Sequence, residues 1–198
     1  MEVINGWGSH QLVLLDVLKR VNKPVLELGI GNYSTKQIHD SLIDRNIEIL
    51  SLECDADWVR KFLYLKNEKH RFHYYTEENI KDFYQNDNRE WGLVFIDNST
   101  WDARVAAIKK YKDVADYIIV HDCDALSTGG WMGRTIAMLD NKHKKKGLRD
   151  FSDIFRYWIE FFIDDWPGDH PPTLLGSNKI DLGDIRGIKG MTICNRNK

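Results

Sequence analysis

The stretch PVLELGIGNYST, residues 24–35, indicates the fold of the chain. Residues 25–28 have the length and composition of a short buried strand, and the two glycines that follow predict a sharp turn. Ser34 or Thr35 then begins a helix. Glycine lets the backbone approach a ligand closely, and a helix N-terminus offers free N–H groups. The stretch therefore predicts a nucleotide-binding corner at the end of the first strand.

The side chains of this corner separate two classes of cofactor. A dinucleotide site uses three glycines, the last for close packing of helix on strand, and Ser34 stands at that position here. Glu27 would repel a pyrophosphate and attract a positively charged amino group. S-adenosylmethionine (SAM) carries an ammonium and a sulfonium group. The corner therefore predicts a SAM site formed by Glu27, Gly29, Gly31, Ser34 and Thr35.

The same residues resemble a known family. VLELGIG, residues 25–31, resembles motif I of the class I SAM-dependent methyltransferases, and LGxGxxST resembles a variant among small-molecule and sugar O-methyltransferases. FID, residues 95–97, and IVHDCD, residues 119–124, resemble the fourth and fifth strand motifs of this superfamily. The resemblance covers residues 24–124. It implies methyl transfer from SAM to a hydroxyl, or to an amine, of a small molecule or sugar.

Composition restricts the class of protein further. The 198 residues suit one domain, and a net charge of -2 gives no basic field for nucleic acid or an anionic membrane. Cys54, Cys123 and Cys194 are scattered without CxxC spacing, which suits a reducing compartment. No apolar run has the length of a membrane span, and no signal peptide is visible. We expect a cytoplasmic protein.

Strands alternate with helices along the chain, which predicts an α/β fold with a doubly wound, Rossmann-like and mostly parallel sheet. Helices should cover both faces of this sheet, and by resemblance a late pair of strands adds an antiparallel edge. We predict one methyltransferase domain over residues 1–198: an N-terminal helix within 1–22, a cofactor core in 23–124, an acceptor-side insertion or lid in 125–172, and late strands in 173–198. Ser9 should cap the first helix, with Trp7 and His10 at its start, and residues 151–163 should form an amphipathic helix.

A second acid supports the cofactor prediction. The predicted second strand ends at Glu53, about 20 residues beyond the glycine turn, where a carboxylate accepts hydrogen bonds from ribose hydroxyls. Cys54 should lie beside the adenine as a small apolar contact. By resemblance, Thr76 or Glu77, after the third strand, lies near the adenine amino group.

Polar residues also follow the fourth and fifth predicted strands. Asp97 ends the first of these and His121 and Asp122 end the second. Ligands of doubly wound sheets bind at the carboxyl ends of the strands, so these residues should share one site with the glycine turn and Glu53. We predict His121, Asp97 and Asp122 as catalytic residues, with Asp97 also touching the cofactor.

Two schemes of methyl transfer to oxygen fit these residues, because the acceptor must lose a proton. In the first, His121 takes the proton and Asp122 or Asp97 orients the imidazole. In the second, Mg²⁺ binds Asp97, Asp122 and Asp124 and acidifies the hydroxyl, which resembles the catechol-type methyltransferases. That family places an amide where this sequence has Cys123, a poor Mg²⁺ ligand.

Two other classes of function stay open at this point. The first is a non-catalytic SAM-binding module, and the second is an NAD-dependent oxidoreductase, which Glu27 and Ser34 disfavour. We expect a small hydroxylated acceptor under Trp131 or Trp166, in loops long enough to close over it. Neither nucleic acid nor a membrane is an expected partner, and the sequence does not indicate the oligomeric state.

Overall fold

A computed structural model describes residues 8–76, 78–99, 101–123, 151–163, 173–185 and 187–196. One eight-stranded sheet organises these residues, in the order β3-β2-β1-β4-β5-β7-β6-β8. Its strands are β1 (Val25–Leu28), β2 (Ile49–Glu53), β3 (His70–Tyr74), β4 (Trp91–Ile96), β5 (Ala115–Val120), β6 (Tyr157–Ile163), β7 (Thr173–Ser177) and β8 (Met191–Arg196).

The first five strands form the parallel half of the sheet. β1 pairs in parallel with β2 and β4, while β3 and β5 extend the two sides. The remaining pairs, β5 with β7, β7 with β6 and β6 with β8, are antiparallel. The order reverses between β1 and β4, and this switch point opens a crevice at the carboxyl ends of the strands. The predicted α/β fold, with its antiparallel C-terminal edge, is confirmed.

Helices cover both faces of the sheet. They are α1 (Gln11–Leu18), α2 (Thr35–Leu42), α3 (Ala56–Phe62), α4 (Ile80–Asn86) and α5 (Trp101–Tyr111). Leu14 of α1 and Ile38 of α2 belong to the apolar core on one face, and Tyr84 of α4 and Ile108 of α5 belong to the core on the other. No helix within the described ranges has the length and apolarity needed to span a membrane.

The prediction of a helix over residues 151–163 is wrong. A turn runs through residues 152–154, and Tyr157–Ile163 is strand β6, bonded on both sides by β7 and β8. Trp158 packs into one core and Ile159 and Phe161 into the other, so successive side chains alternate between covered faces. Because both faces are covered, the apolar run shows no polar alternation and resembles a buried helix in sequence.

The beginning of α1 also differs from the prediction. His10 occupies the N-cap position without a side-chain cap bond, so Ser9 is not the cap. The Ser9 hydroxyl instead lies 2.9 Å from Nε2 of His121, 112 residues away along the chain. The residues just before α1 therefore reach the end of β5, where the predicted acceptor site lies. Trp7 lies outside the described residues.

Candidate cofactor and acceptor site

The turn after β1 depends on Gly29. Its φ of +95° lies in the region that favours glycine, and a Cβ there would lie 2.5 Å from the carbonyl oxygen of Asp97. The N–H of Asp97 donates to the carbonyl of Leu28 at 2.7 Å, so the ends of β1 and β4 meet at this point. Gly31, by contrast, has space for a Cβ, whose nearest neighbour would be the Ser34 hydroxyl at 3.4 Å.

Glu27 is fully buried at the centre of this corner. Oε1 accepts hydrogen bonds from Ser34 at 2.7 Å and Thr35 at 2.9 Å, and Oε2 accepts one from Ser51 at 2.5 Å. Burial raises the pKa of Glu27 to about 7, although the three hydroxyl bonds oppose this shift. Within the described ranges no cationic side chain forms an ion pair with this carboxylate.

A cavity of about 800 Å³ opens at the carboxyl ends of the strands, beside this corner. Six of the predicted site residues line it: Gly31, Glu53, Cys54, Asp97, His121 and Asp122. Its other lining residues are Ile30, Asn32, Tyr33, Asp55, Trp58, Ser99 and Arg104. The structure therefore brings the predicted ribose acid and the predicted catalytic residues to one cavity.

Other predicted cofactor residues lie behind or beside the cavity. Glu27, Ser34 and Thr35 are buried and bonded to one another, and Gly29 forms the turn against β4. Thr76 is exposed and bonds with Asn79 before α4, away from the cavity lining. Glu77 lies outside the described residues. Direct cofactor contacts of these five residues and Glu77 stay predictions.

Backbone amides fix the orientation of Glu53. Its Oε2 accepts from the N–H of Ile30 at 2.8 Å, and its Oε1 accepts from the N–H groups of Cys54 and Asp55 at 2.7 and 2.9 Å. The carboxylate thus ties the end of β2 to the glycine turn after β1. Oε1 thus accepts two bonds, whereas Oε2 accepts one and keeps a lone pair for a donor in the cavity. Cys54 beside it has its thiol 3.2 Å from the Ser99 hydroxyl, and burial raises its thiol pKa, as expected for a neutral contact.

His121 joins the two acids at the opposite end of the cavity. Its Nδ1 lies 3.1 Å from Oδ1 of Asp97, and its Nε2 lies 3.1 Å from Oδ1 of Asp122. Burial lowers the pKa of His121, but the charge of Asp97 and the bond to it outweigh burial, and the net shift is upward. Asp122 has a φ of +55°, in the left-handed region that a non-glycine residue seldom adopts.

Arg104 is a central residue of the site that the sequence did not predict. Its guanidinium, on α5, donates to Oδ1 of Asp97 at 3.1 Å and to the carbonyl of His121 at 2.9 Å, and it also bonds the carbonyl of Asn98. Burial opposes ionisation of Asp97, but His121 and Arg104 together hold its pKa down at about 2. Asp97 is therefore an anion that accepts from the Arg104 guanidinium and lies beside Nδ1 of His121.

His10 packs directly against this group. Its ring stands edge-on to that of His121, with centroids 4.3 Å apart, and its Nε2–H donates to the carbonyl of Tyr33 at 3.2 Å. Burial and the charge of His121 lower the pKa of His10 to about 3, so its imidazole is neutral. His10 closes the buried side of the site; the sequence placed it at the start of the first helix without assigning it a role in the site.

A metal ion has two sets of candidate ligands here. Ligand atoms of His10, Asp97 and His121 lie within 4.8 Å of one another. Arg104 already pairs with the same oxygen of Asp97, so a divalent cation would be added beside a buried guanidinium. This charge arrangement disfavours a metal ion at Asp97. Binding of Mg²⁺ by Asp97, Asp122 and Asp124 stays a prediction, since Asp124 lies outside the described residues.

The sequence matches no family model and no curated protein. Among solved structures, a protein of Corynebacterium glutamicum aligns with a TM-score of 0.59 at 11% identity, over 86% of this chain and 81% of its own. The methyltransferase PaMTH1 of Podospora anserina, with S-adenosylhomocysteine (SAH) bound, gives 0.55 at 14% identity, over 85% and 76% of the two chains. The O-methyltransferase TomG of Streptomyces achromogenes, in complex with SAM, gives 0.53 at 17% identity, over 85% and 78%.

The chain has the fold of the class I SAM-dependent methyltransferases, as its motifs indicated. At these identities the likeness establishes the fold, and the chemistry has to be argued from the residues of the site.

Proposed function

We propose that this protein is a SAM-dependent methyltransferase that transfers the methyl group to a hydroxyl of a small molecule or sugar. The observation that carries the proposal is one cavity with Glu53 at one end and the Asp97–His121–Asp122 group at the other. Its volume of about 800 Å³ lies in the range of natural ligand sites and admits a cofactor together with a small acceptor.

Two residues of the cavity and one behind it fit SAM. Glu53 presents fixed carboxylate oxygens to ribose hydroxyls, and Trp58 offers an aromatic surface in the same wall. Behind the glycine turn, Glu27 is a buried carboxylate without an ion-pair partner in the described part of the chain. The positive charge of a ligand ammonium would stabilise its ionised form. When bound, SAM supplies an electrophilic methyl group.

The acceptor end supplies proton transfer and orientation. Methyl transfer is an in-line displacement, so positioning accounts for most of the catalysis. We assign His121, in its neutral form, as the group that removes the acceptor proton. Asp97 orients its Nδ1, and Arg104 holds Asp97 in the anionic form. Because His121 is buried and lines the cavity, an acceptor hydroxyl bound there can reach its imidazole.

Calorimetry tests the cofactor half of this proposal. SAH should bind and NAD should not, and NAD binding of equal or greater strength would contradict the assignment. Glu27→Gln should weaken SAH binding but leave binding of 5′-methylthioadenosine, which lacks the amino acid group, nearly unchanged. Equal losses for both ligands would show that Glu27 only shapes the turn.

Transfer from methyl-labelled SAM to small molecules of a cell extract tests the catalytic half. His121→Ala should abolish labelling with little change in SAH affinity, and EDTA should have no effect if His121 is the base. Loss of labelling in EDTA that added Mg²⁺ restores would instead select the metal scheme. SAH binding without transfer to any extract fraction would identify a non-catalytic SAM-binding module.

A further inference from the structure

A continuous series of hydrogen-bonded side chains, His39, His70, Ser51 and Glu27, leads from the surface of α2 to the cofactor corner; we call it the file. Nδ1 of His39 lies 2.9 Å from Nδ1 of His70, and Nε2 of His70 lies 2.9 Å from the Ser51 hydroxyl. Ser51 then donates to Oε2 of Glu27 at 2.5 Å. His70, Ser51 and Glu27 are fully buried, whereas His39 is partly exposed. Nothing in the acceptor chemistry described above uses these two histidines.

The direction of every bond in this file follows from the ionised carboxylate at its end. A carboxylate only accepts, so the Ser51 O–H points at Glu27, and the Ser51 oxygen accepts from Nε2–H of His70. Nδ1 of His70 is then a bare acceptor and takes its bond from Nδ1–H of His39. This leaves Nε2 of His39 as the nitrogen that accepts a proton from solvent.

Reversing all of these bonds moves one proton to Glu27. A proton from solvent forms an N–H bond at Nε2 of His39, and the Nδ1–H bond of His39 breaks as His70 gains a proton at Nδ1. The Nε2–H bond of His70 breaks as Ser51 gains a proton, and the original Ser51 O–H bond breaks as Glu27 gains one at Oε2. Each group between the ends returns to its starting charge, so the net change is one proton from solvent to Glu27.

The other oxygen of Glu27 connects this file to the cofactor turn. Oε1 accepts from Thr35, and the Thr35 hydroxyl in turn accepts from the N–H of Gly31, which lines the cavity. The charge of Glu27 therefore acts on the backbone that faces the cofactor site. Since Glu27 has no exposed surface, the described residues offer the carboxyl no direct contact with water.

Few other charges act on this file. Lys36 and Asp40, both on α2, affect His39 in opposite directions, and Glu53 at the end of β2 is the charged group near Glu27. Burial lowers the pKa of His70 to about 3, so His70 passes protons on and does not store them. Burial also lowers the pKa of His39.

We propose that His39, His70 and Ser51 form a proton relay between solvent and Glu27, and that protonation of Glu27 through this relay couples cofactor binding to pH. The coupling rests on the proposed function, in which the ionised form of Glu27 favours a ligand ammonium. Below the titration of Glu27, SAH affinity should fall by up to about tenfold per pH unit, as one-proton linkage requires.

Nitrogen-15 NMR of the ligand-free protein tests the relay without any cofactor. Above the titration of Glu27, His39 should carry its proton on Nδ1 and His70 on Nε2. Below it, His70 should carry its proton on Nδ1, and Glu27→Gln should abolish this switch. A His70 tautomer that stays fixed through the titration, or that switches equally in Glu27→Gln, would overturn the proposal.

Rapid mixing with SAH in a weakly buffered indicator solution tests proton flow. In the range where Glu27 is partly protonated, wild-type protein should release protons on binding. His70→Phe should slow this release at least tenfold without changing its final amount, and the surface change His39→Gln should do the same if His70→Phe fails to fold. His73→Gln, at an exposed histidine of the same strand, is the matched control.

The two levels of the proposal fail in different ways. Release at the wild-type rate in both the His70 and His39 variants would refute the relay. If SAH does not bind the wild-type protein, the proposed function fails, while the tautomer switch of His70 still tests the relay.

Discussion

Glu27→Gln should make the stability of the protein less dependent on pH, because Glu27 is a fully buried acid without an ion-pair partner among the described residues. Its pKa is raised from 4.5 to about 7 in the folded chain. Between these values the folded chain keeps a proton that the unfolded chain has lost, so stability falls as pH rises through this window. A shift of this size corresponds to about 3 kcal/mol of lost stability above pH 7.

Urea unfolding measures this contribution. Glutamine cannot ionise, so the free energy of unfolding of Glu27→Gln, relative to wild type, should rise by about 2 to 3 kcal/mol between about pH 5 and about pH 8. Any cost of replacing a carboxylate by an amide among three hydroxyl donors is a constant offset and does not change with pH. The relevant observable is therefore the slope of the difference with pH.

Glu68→Gln, at an exposed glutamate before β3, is the matched control. It removes the same charge from the chain without touching a buried carboxyl. A difference between Glu27→Gln and wild type that stays flat from acid to neutral pH would refute the reasoning. Such a result would mean that the hydroxyl bonds of Ser34, Thr35 and Ser51 fully offset the cost of burial.

Three further predictions concern the cavity and its supports. Glu53→Ala should weaken SAH binding by about 1–3 kcal/mol in calorimetry, the scale for lost hydrogen bonds to a charged group, and unchanged affinity would place the ribose acid elsewhere. Gly31→Val should lower SAH affinity at least tenfold with little change in thermal stability. Gly29→Val should destabilise the fold, because Gly29 has a positive φ and lies against the Asp97 carbonyl. Equal melting temperatures of the two variants would contradict this contrast. Arg104→Met should destabilise the chain by about 3 kcal/mol in urea unfolding, since it leaves Asp97 without its guanidinium, and a loss below about 0.5 kcal/mol would argue against this pair as a support of the site.

The parallel half of the fold was predictable because its signals are local. Each buried strand is followed by a polar residue or a glycine turn, and parallel strands bring their carboxyl ends to one edge. Chain order alone therefore brought Glu53, Asp97 and His121 together.

β6 was missed because its environment is set by strands that come later in the chain. Its side chains Trp158, Ile159 and Phe161 are buried in the apolar cores on the two faces of the sheet, and its backbone is bonded to β7 and β8. No polar alternation therefore marks the segment. Its richness in aromatic and β-branched residues was the available indication of a strand. Helical spacing of the same apolar residues favoured the wrong assignment, since periodicity alone does not separate a buried helix from a buried strand.

Site residues on helices were harder to predict than those at strand ends. Arg104 lies one turn into α5 among apolar neighbours, and its contacts with Asp97 and His121 depend on how α5 packs over the sheet. Ser9 and His10 reach the same site from the beginning of α1. The arginine within ARVAAI, residues 103–108, was one indication in the sequence, because a lone cation on an apolar helix face requires an anionic partner.

Glu27 shows why the place of a residue in the fold can be predicted while its local contacts cannot. Sequence pattern places it at the cofactor corner, but Ser51 and His70, which complete its hydrogen bonds, come from β2 and β3. Within the folded chain, an ionised Glu27 lowers stability by about 3 kcal/mol at neutral pH. A chain selected for stability alone would gain from a neutral side chain here, whereas a ligand ammonium would convert the same carboxylate into binding energy. The cost of Glu27 in the free protein is therefore itself an argument for a cationic ligand at this corner.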